Sequence, residues 1–119
     1  MPRMLIVEDE RDICDCLEQF FGAKGFAVAS VFSGEEALER LAHSGADVIL
    51  LDILLPGLSG IEVLKRIKEL HPQARVIMVT GIDQPDVQST AKRYGAVAYI
   101  MKPFDFSDTT WAPVFVPPT

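Results

Sequence analysis

The sequence contains few cysteines, and their placement argues against a disulfide scaffold. Only Cys14 and Cys16 occur in 119 residues. They lie two positions apart in a stretch with helical periodicity, so their side chains point in different directions. We therefore expect them neither to bridge each other nor to bind one metal together, and we interpret them as reduced thiols at the edge of a core.

The chain also lacks the long apolar run that a membrane span requires. Its longest apolar runs have the length of strands, far short of the roughly 20 residues that cross a bilayer as a helix. The first residues lead directly into a strand-like run, without the separate charged and apolar regions of a signal peptide. We expect a cytoplasmic protein that does not bind membranes.

Basic residues are outnumbered by acidic ones. The chain has 11 Lys and Arg against 17 Asp and Glu, which gives a formal net charge of −6. An acidic surface disfavours sequence-independent binding to nucleic acid or anionic lipid. Because 49% of the residues are hydrophobic, the chain can bury one core, and its length predicts a single domain that meets basic partners or metal cations.

Strand-like and helix-like segments alternate along the chain. The segments between the apolar runs have helical periodicity, and Ser33 and Ser59 each begin a capping box at a helix start. Such alternation indicates an α/β fold with an open, doubly wound, five-stranded parallel sheet and helices on both faces. The five predicted strands are residues 4–7, 26–31, 48–51, 75–80 and 97–101.

Polar side chains close several of the predicted strands. Glu8 and Asp9 follow the first strand and Asp52 follows the third. Thr80 closes the fourth strand, and Lys102 follows the fifth. Because the ligand site of an open parallel sheet lies beyond the carboxyl ends of its strands, we expect these five side chains to meet.

This combination of side chains favours phosphoryl transfer. Three converging carboxylates repel one another, and a hard divalent cation such as Mg²⁺ relieves the repulsion. A lysine and a hydroxyl complete a set suited to a reaction that depends mainly on positioning and charge neutralisation. An aspartate in such a site can itself be the nucleophile. Each residue alone has a simpler interpretation, as a strand end, a helix cap or a solvated lysine.

The segments around these positions resemble the receiver domains of two-component response regulators, including chemotaxis receivers. The resemblance covers about residues 3–106, and the order and separations of the motifs fit. It implies a flavodoxin-like strand order, 2-1-3-4-5, and a phosphorylation-dependent signalling function. The matching pieces are Glu8-Asp9, LLDILLPGLSG around Asp52, VIMVTG ending in Thr80-Gly81, and AYIMKPF with Lys102-Pro103.

The resemblance implies an acceptor and a metal site. Asp52 is expected to accept the phosphoryl group. Asp9, Asp52 and the backbone carbonyl of Leu54 are expected to hold Mg²⁺, and Glu8 is expected to act mainly through bound water.

The resemblance also implies a switch. Lys102 is expected to pair with the phosphoryl oxygens, and Thr80 is expected to hydrogen-bond the phosphoryl group. Tyr99 would move inward as Thr80 shifts, although an aromatic residue in a fifth strand can equally serve packing alone. The Lys102–Pro103 peptide bond is expected to be cis.

The implied partners follow from these roles. The phosphoryl group would come from a histidine kinase or a phosphotransfer protein, and an output protein, or an output domain absent from this sequence, would respond. The domain would catalyse its own phosphorylation and slow dephosphorylation without being a conventional enzyme. Two other hypotheses stay open: a receiver-like interaction module that no longer switches, and a small metal-dependent phosphatase. Such phosphatases commonly carry a second acid two residues after the nucleophile, where this chain has Leu54.

The end of the chain departs from the family pattern. We interpret residues 1–106 as the receiver domain and residues 107–119 as an apolar, proline-rich tail that replaces the usual fifth helix. Its prolines and β-branched residues disfavour a helix, so we expect no regular helix beyond one turn near residues 106–110. The tail would then fold back on the sheet or reach a second copy, giving a homodimer through the fourth helix, the fifth strand and the tail.

Overall fold

Ten regular elements make up the described part of the chain, which is residues 1–115 of a computed structural model. The predicted tail residues 116–119 lie outside the described residues. The strands are β1 (Arg3–Val7), β2 (Ala27–Val31), β3 (Val48–Leu51), β4 (Arg75–Thr80) and β5 (Ala98–Met101). The helices are α1 (Arg11–Ala23), α2 (Gly34–His43), α3 (Gly60–Leu70), α4 (Pro85–Arg93) and α5 (Asp108–Phe115).

The five strands form one parallel sheet in the order β2-β1-β3-β4-β5. The predicted α/β class and strand order are therefore confirmed. Val7, at the end of β1, lies opposite Val31 and Leu51, and Thr80, at the end of β4, lies opposite Met101. This register brings the carboxyl ends of β1, β3, β4 and β5 to one edge of the sheet.

Both faces of the sheet are covered, which explains the unbroken apolar character of the central strands. All four residues of β3 are buried. Alternate strand side chains pack against α2, α3 and α4 on one face and against α1 and α5 on the other. The polar ends of the strands are thus carried on a sheet that packing holds in place.

Local signals in the sequence explain where several helices begin. The Ser33 hydroxyl accepts a hydrogen bond from the Glu36 backbone N–H at 3.1 Å, and Ser59 accepts from Glu62 at 3.4 Å. Pro85 occupies the first turn of α4, where its missing N–H costs nothing. These helix starts agree with the capping pattern in the sequence.

The two cysteines are unbridged. Cys14 is buried against the sheet in α1, and Cys16 is exposed. Burial raises the pKa of the Cys14 thiol to about 11, so that thiol stays protonated at neutral pH. Cys14 therefore behaves as a small core residue.

None of the helices within residues 1–115 combines the length and the apolar character that crossing a bilayer demands.

The prediction that no regular helix extends beyond one turn near residues 106–110 was wrong. Helix α5 contains eight residues, with Pro113 inside it. Proline removes one backbone hydrogen bond and lowers helix propensity, but tertiary packing outweighs propensity here. Trp111 and Val114 are fully buried against the sheet, and the Trp111 indole Nε1 donates to the Asp105 carbonyl at 2.6 Å. This part of the tail folds back on its own domain.

Side chains outside α5 also stabilise its two ends. The Asp105 carboxylate accepts hydrogen bonds from the Ser107 hydroxyl at 2.8 Å and the Thr110 hydroxyl at 2.7 Å, which fixes the first turn. At the other end, the Arg75 guanidinium of β4 donates to the carbonyls of Pro113 and Val114, the latter at 2.7 Å. The helix therefore depends on contacts that a propensity scale does not count.

Replacing Trp111 with alanine should test how far packing holds α5. Because the side chain is fully buried, we expect Trp111→Ala to lower the free energy of unfolding by about 3–5 kcal/mol. The matched control is Leu70→Ala, since Leu70 is 60% exposed, and we expect a change within about 0.5 kcal/mol. Urea denaturation followed by circular dichroism measures both. Equal, small changes in the two variants would show that α5 contributes little.

The Asp105 carboxylate should make part of the stability depend on pH. Hydrogen bonds from the Thr110 hydroxyl and from Ser107 lower the pKa of Asp105 below its ordinary value of 3.8. The folded state therefore favours the ionised form, so this contribution is present above pH 3.8 and disappears as the pH falls through the lowered pKa. The stability difference between wild type and Asp105→Asn should shrink below pH 3.8 in urea titrations. The same pH trend in Asp108→Asn, whose position lacks these hydroxyl contacts, would contradict the assignment.

Candidate functional site

The ends of four strands place the candidate site residues at one edge of the sheet. Backbone hydrogen bonds fix their starting points: the Asp52 N–H donates to the Val7 carbonyl at 3.1 Å, and the Lys102 N–H donates to the Thr80 carbonyl at 2.9 Å. Glu8 is anchored in the same way to Val31, at 3.1 Å. The side chains that follow therefore start from a rigid frame.

Asp52 is held from both sides of its carboxylate. One oxygen, Oδ1, accepts a hydrogen bond from the Leu54 N–H at 3.2 Å, and the other, Oδ2, accepts from the Lys102 ammonium at 2.8 Å. The residue is only 4% exposed. Gly60 packs directly on the Asp52 carbonyl, where any Cβ would collide with the backbone. The glycine thus lets the chain close tightly behind the acid.

Lys102 joins the carboxylates of different strands. Besides Asp52, its ammonium contacts Glu8 Oε1 at 2.6 Å and Glu10 Oε1 at 3.7 Å. Burial alone would lower the pKa of Lys102, but the hydrogen bonds and charges of Asp52 and Glu8 outweigh burial and raise it. Lys102 therefore stays positively charged at any physiological pH.

Glu8 is the most buried carboxylate of the site, at 2% exposure. Burial raises the pKa of Glu8 above its ordinary value, and the hydrogen bond from Lys102 opposes that rise. Its second oxygen, Oε2, accepts from the Glu10 N–H at 3.1 Å. Both Glu8 oxygens are thus engaged by the protein, as both Asp52 oxygens are.

Glu8, Asp9 and Asp52 form a cluster that fits a divalent cation. One carboxylate oxygen from each lies within 4.8 Å of the others, and Asp9 is exposed while the other two are buried. An all-oxygen donor set with an open side matches Mg²⁺, which keeps several waters and takes few protein ligands. The acidic cluster is therefore able to hold this ion.

Thr80 and Tyr99 both contact the same residue of the loop after β4. The buried Thr80 hydroxyl lies 3.5 Å from the Ile82 N–H, a weak hydrogen bond, and the Tyr99 hydroxyl donates to the Ile82 carbonyl at 2.7 Å. Tyr99 also packs at the margin of the core. Burial, with the charges of Asp52 and Asp83, raises the pKa of Tyr99. Tyr99 therefore both packs against the core and contacts the loop after β4.

Sequence reasoning missed two carboxylates near the site. No role was predicted for Glu10, yet its side chain lies beside Lys102; its place next to Glu8 and Asp9 was the available signal. Glu35 of α2 accepts a hydrogen bond from the Leu58 N–H at 3.3 Å and so ties down the loop after Asp52. No sequence pattern links positions that far apart.

The Lys102–Pro103 peptide bond is cis.

The fold and this arrangement of side chains define a receiver. The chain belongs to the response regulator receiver domain family, whose model matches residues 4–111. It is 34% identical over 106 residues to sporulation initiation phosphotransferase F of Bacillus subtilis, covering 89% of this chain and 86% of that protein. It is 38% identical over 105 residues to the uncharacterized transcriptional regulatory protein YkoG of the same species, covering 88% of this chain.

Larger relatives and solved structures agree with this assignment. The chain spans 46% of YkoG and, at 37% identity and 87% of its own length, 22% of the DNA-binding transcriptional regulator NtrC of Escherichia coli. A crystal structure of a CheY-like receiver domain protein from Methanospirillum hungatei matches with a TM-score of 0.85 at 33% identity, covering 88% of this chain and 84% of that one. The present domain is therefore similar to one part of the larger relatives.

Removing the Lys102 charge should expose the repulsion that it offsets. In Lys102→Met, the carboxylates of Asp52 and Glu8 lose their shared partner while they stay buried, so without Mg²⁺ we expect a loss of about 3–5 kcal/mol in the free energy of unfolding. Added Mg²⁺ should restore part of the loss, because binding to the folded state stabilises it. The control is Lys92→Met, which makes the same change at an exposed position of α4. Urea denaturation with a chelator and with Mg²⁺ measures both, and equal stability of the two variants would contradict the expectation.

Proposed function

We propose that this receiver domain accepts a phosphoryl group on Asp52 and changes conformation to control a partner or an output domain. As a response regulator receiver domain it belongs to two-component systems. One observation supports the proposal most: the buried Asp52 carboxylate lies 2.8 Å from the Lys102 ammonium and shares an acidic cluster with Glu8 and Asp9. The proposed nucleophile, a cation and the proposed metal ligands therefore lie close together, which supports the proposal.

The chain itself supplies the positioning in the proposed reaction. One Asp52 carboxylate oxygen attacks phosphorus while the bond from phosphorus to the donor's leaving group breaks. The packed β3 strand and the Leu54 N–H limit the motion of that carboxylate, so less freedom is lost on the way to the transition state. The Lys102 ammonium is near enough to pair with phosphoryl oxygens. Asp52 is thus already oriented before a donor arrives.

The proposed metal ligands are Asp9, Asp52 and the Leu54 backbone carbonyl, with Glu8 acting mainly through water. Bound there, Mg²⁺ would supply positive charge that offsets the charge of the carboxylates and the phosphoryl group. Asp9 is exposed and retains its freedom to bind.

The proposed switch starts at Lys102 and Thr80. A phosphoryl group adds about 1.5 to 2 negative charges next to Lys102, which would draw its ammonium away from Glu8. Accepting the weak 3.5 Å hydrogen bond from the Ile82 N–H does not occupy the hydrogen of the Thr80 hydroxyl, which could be donated to a phosphoryl oxygen. The Tyr99 hydroxyl donates to the Ile82 carbonyl in the loop after β4. A movement of that loop would therefore also move Tyr99 of β5 and the start of α4. Shifting a 1:99 equilibrium to 99:1 needs about 5.5 kcal/mol of differential interaction.

The proposed partners are a histidine kinase or phosphotransfer protein as donor and an output protein or domain as target. The regulatory names of the longer relatives support an output function. The net charge of −6 disfavours direct nucleic-acid binding by this domain. A homodimer through α4, β5 and the α5 region, and a cytoplasmic location, stay predictions. Sedimentation of the phosphorylated domain tests the homodimer. If the domain stays monomeric at high concentration, the homodimer prediction is wrong.

Labelling with a small phosphodonor tests the phosphorylation proposal. We expect radiolabelled acetyl phosphate and Mg²⁺ to give an acid-stable, base-labile protein label, because an acyl phosphate has those stabilities. Asp52→Asn should abolish the label, since the amide is not a nucleophile. The matched control Asp15→Asn, which makes the same change at an exposed position of α1, should keep it.

The same experiment separates the competing hypotheses. No label in wild type, under conditions in which another receiver is labelled, supports a module that no longer switches. Release of phosphate from many different esters, with repeated turnover, supports a phosphatase. A label that survives in Asp52→Asn would move the acceptor to another residue and contradict the proposal.

A further inference from the structure

The Glu10 side chain does not cap helix α1, although Glu10 occupies the capping position. Glu10 is the N-cap residue of α1, yet its side chain makes no capping hydrogen bond. Its backbone does the structural work: the N–H donates to Glu8, and the carbonyl accepts from Ile13 and Cys14. The carboxylate lies 3.7 Å from the Lys102 ammonium instead and is 63% exposed. The negative charge of Glu10 therefore acts on any charged molecule that approaches Lys102.

Glu10 adds negative charge where the site already has an excess of it. Lys102 is shared by the buried carboxylates of Glu8 and Asp52, and Asp9 completes the acidic cluster. With Glu10 included, negative charges outnumber positive ones even after a divalent cation binds. Glu10, Asp12 and Lys102 also line one open groove of about 530 Å³. Two carboxylates thus share this groove with the ammonium.

We propose that Glu10 is a specificity residue that selects phosphodonors by charge. This inference rests on the proposed phosphorylation of Asp52. The Glu10 carboxylate competes for Lys102 and repels small, doubly charged anions, so it slows phosphorylation by such donors. A donor that brings positive charge against Glu10 and Asp12 does not meet this barrier.

The step concerned is balanced without any further reactant. With acetyl phosphate, an Asp52 carboxylate oxygen forms a bond to phosphorus, the bond from phosphorus to the acetyl oxygen breaks, and acetate leaves with the electron pair. Glu10 takes no part in bond formation. It changes only the electrostatic cost of bringing the donor dianion to Asp52.

The test is Glu10→Gln, which removes the charge and keeps the size of the side chain. At low ionic strength we expect acetyl phosphate to label Glu10→Gln at least about threefold faster than wild type, through a lower KM, because a nearby negative charge has been removed. Near 1 M salt, where the Debye length is about 3 Å, the gain should nearly vanish. Phosphoramidate carries less negative charge, so its gain should be smaller.

The matched control is Glu39→Gln, which makes the same charge change at an exposed position of α2. It should label at the wild-type rate. Equal rates for Glu10→Gln and wild type at low salt overturn the inference, as does an equal gain in Glu39→Gln. Slower labelling with a higher Mg²⁺ requirement also overturns it, because Glu10 would then help to hold the cation.

The outcomes distinguish this inference from the function on which it rests. If wild type is labelled at Asp52 but Glu10→Gln behaves identically, only the inference fails. If neither protein is labelled, the phosphorylation proposal fails and the inference falls with it. Label that forms faster in Glu10→Gln than in wild type, and that disappears in the Asp52→Asn, Glu10→Gln double variant, supports both.

Discussion

The ion pair that Lys102 makes with Asp52 and Glu8, at 2.8 and 2.6 Å, is the interaction on which the site depends. Two nearly buried carboxylates cannot lie side by side as anions without a partner. Lys102 begins at β5, on the far side of β4 and β3 from Glu8. Its long side chain and those of Asp52 and Glu8 together close this distance, although adjacent strands are about 4.8 Å apart. The ammonium therefore links the strand ends and fixes the direction of the Asp52 carboxylate.

The molecule combines tightly packed strands with weakly bonded polar groups at their ends. The central strands are buried on both faces, so Asp52 and Glu8 extend from backbone that has little freedom. At the edge, by contrast, the contact between Thr80 and Ile82 is weak, and Glu10 is largely exposed. The proposed phosphorylation of Asp52 would use this combination. A rigid acceptor lowers the entropy cost, and groups with weak bonds can change partners.

The fold and most of the candidate site could be predicted from the sequence, and the failures have identifiable causes. Asp52, Thr80 and Lys102 could be located because each stands at the carboxyl end of an apolar run, and parallel strands bring their carboxyl ends together. Helix α5 was missed because Pro113 and the β-branched residues lower helix propensity, whereas the burial of Trp111 and the contact from Arg75 stabilise it. Glu35 was missed because its partner, Leu58, is distant in the chain.

The sequence by itself determined the alternation of elements, the helix starts at Ser33 and Ser59, and the polar residue types at the strand ends. These depend on periodicity, capping chemistry and chain direction, all of which are local. Only the tertiary structure decided that Lys102 pairs with both Glu8 and Asp52, that Glu10 turns toward the site instead of capping α1, and that the chain after residue 106 is helical. Those outcomes depend on contacts between distant segments, where burial and charge outweigh local preference.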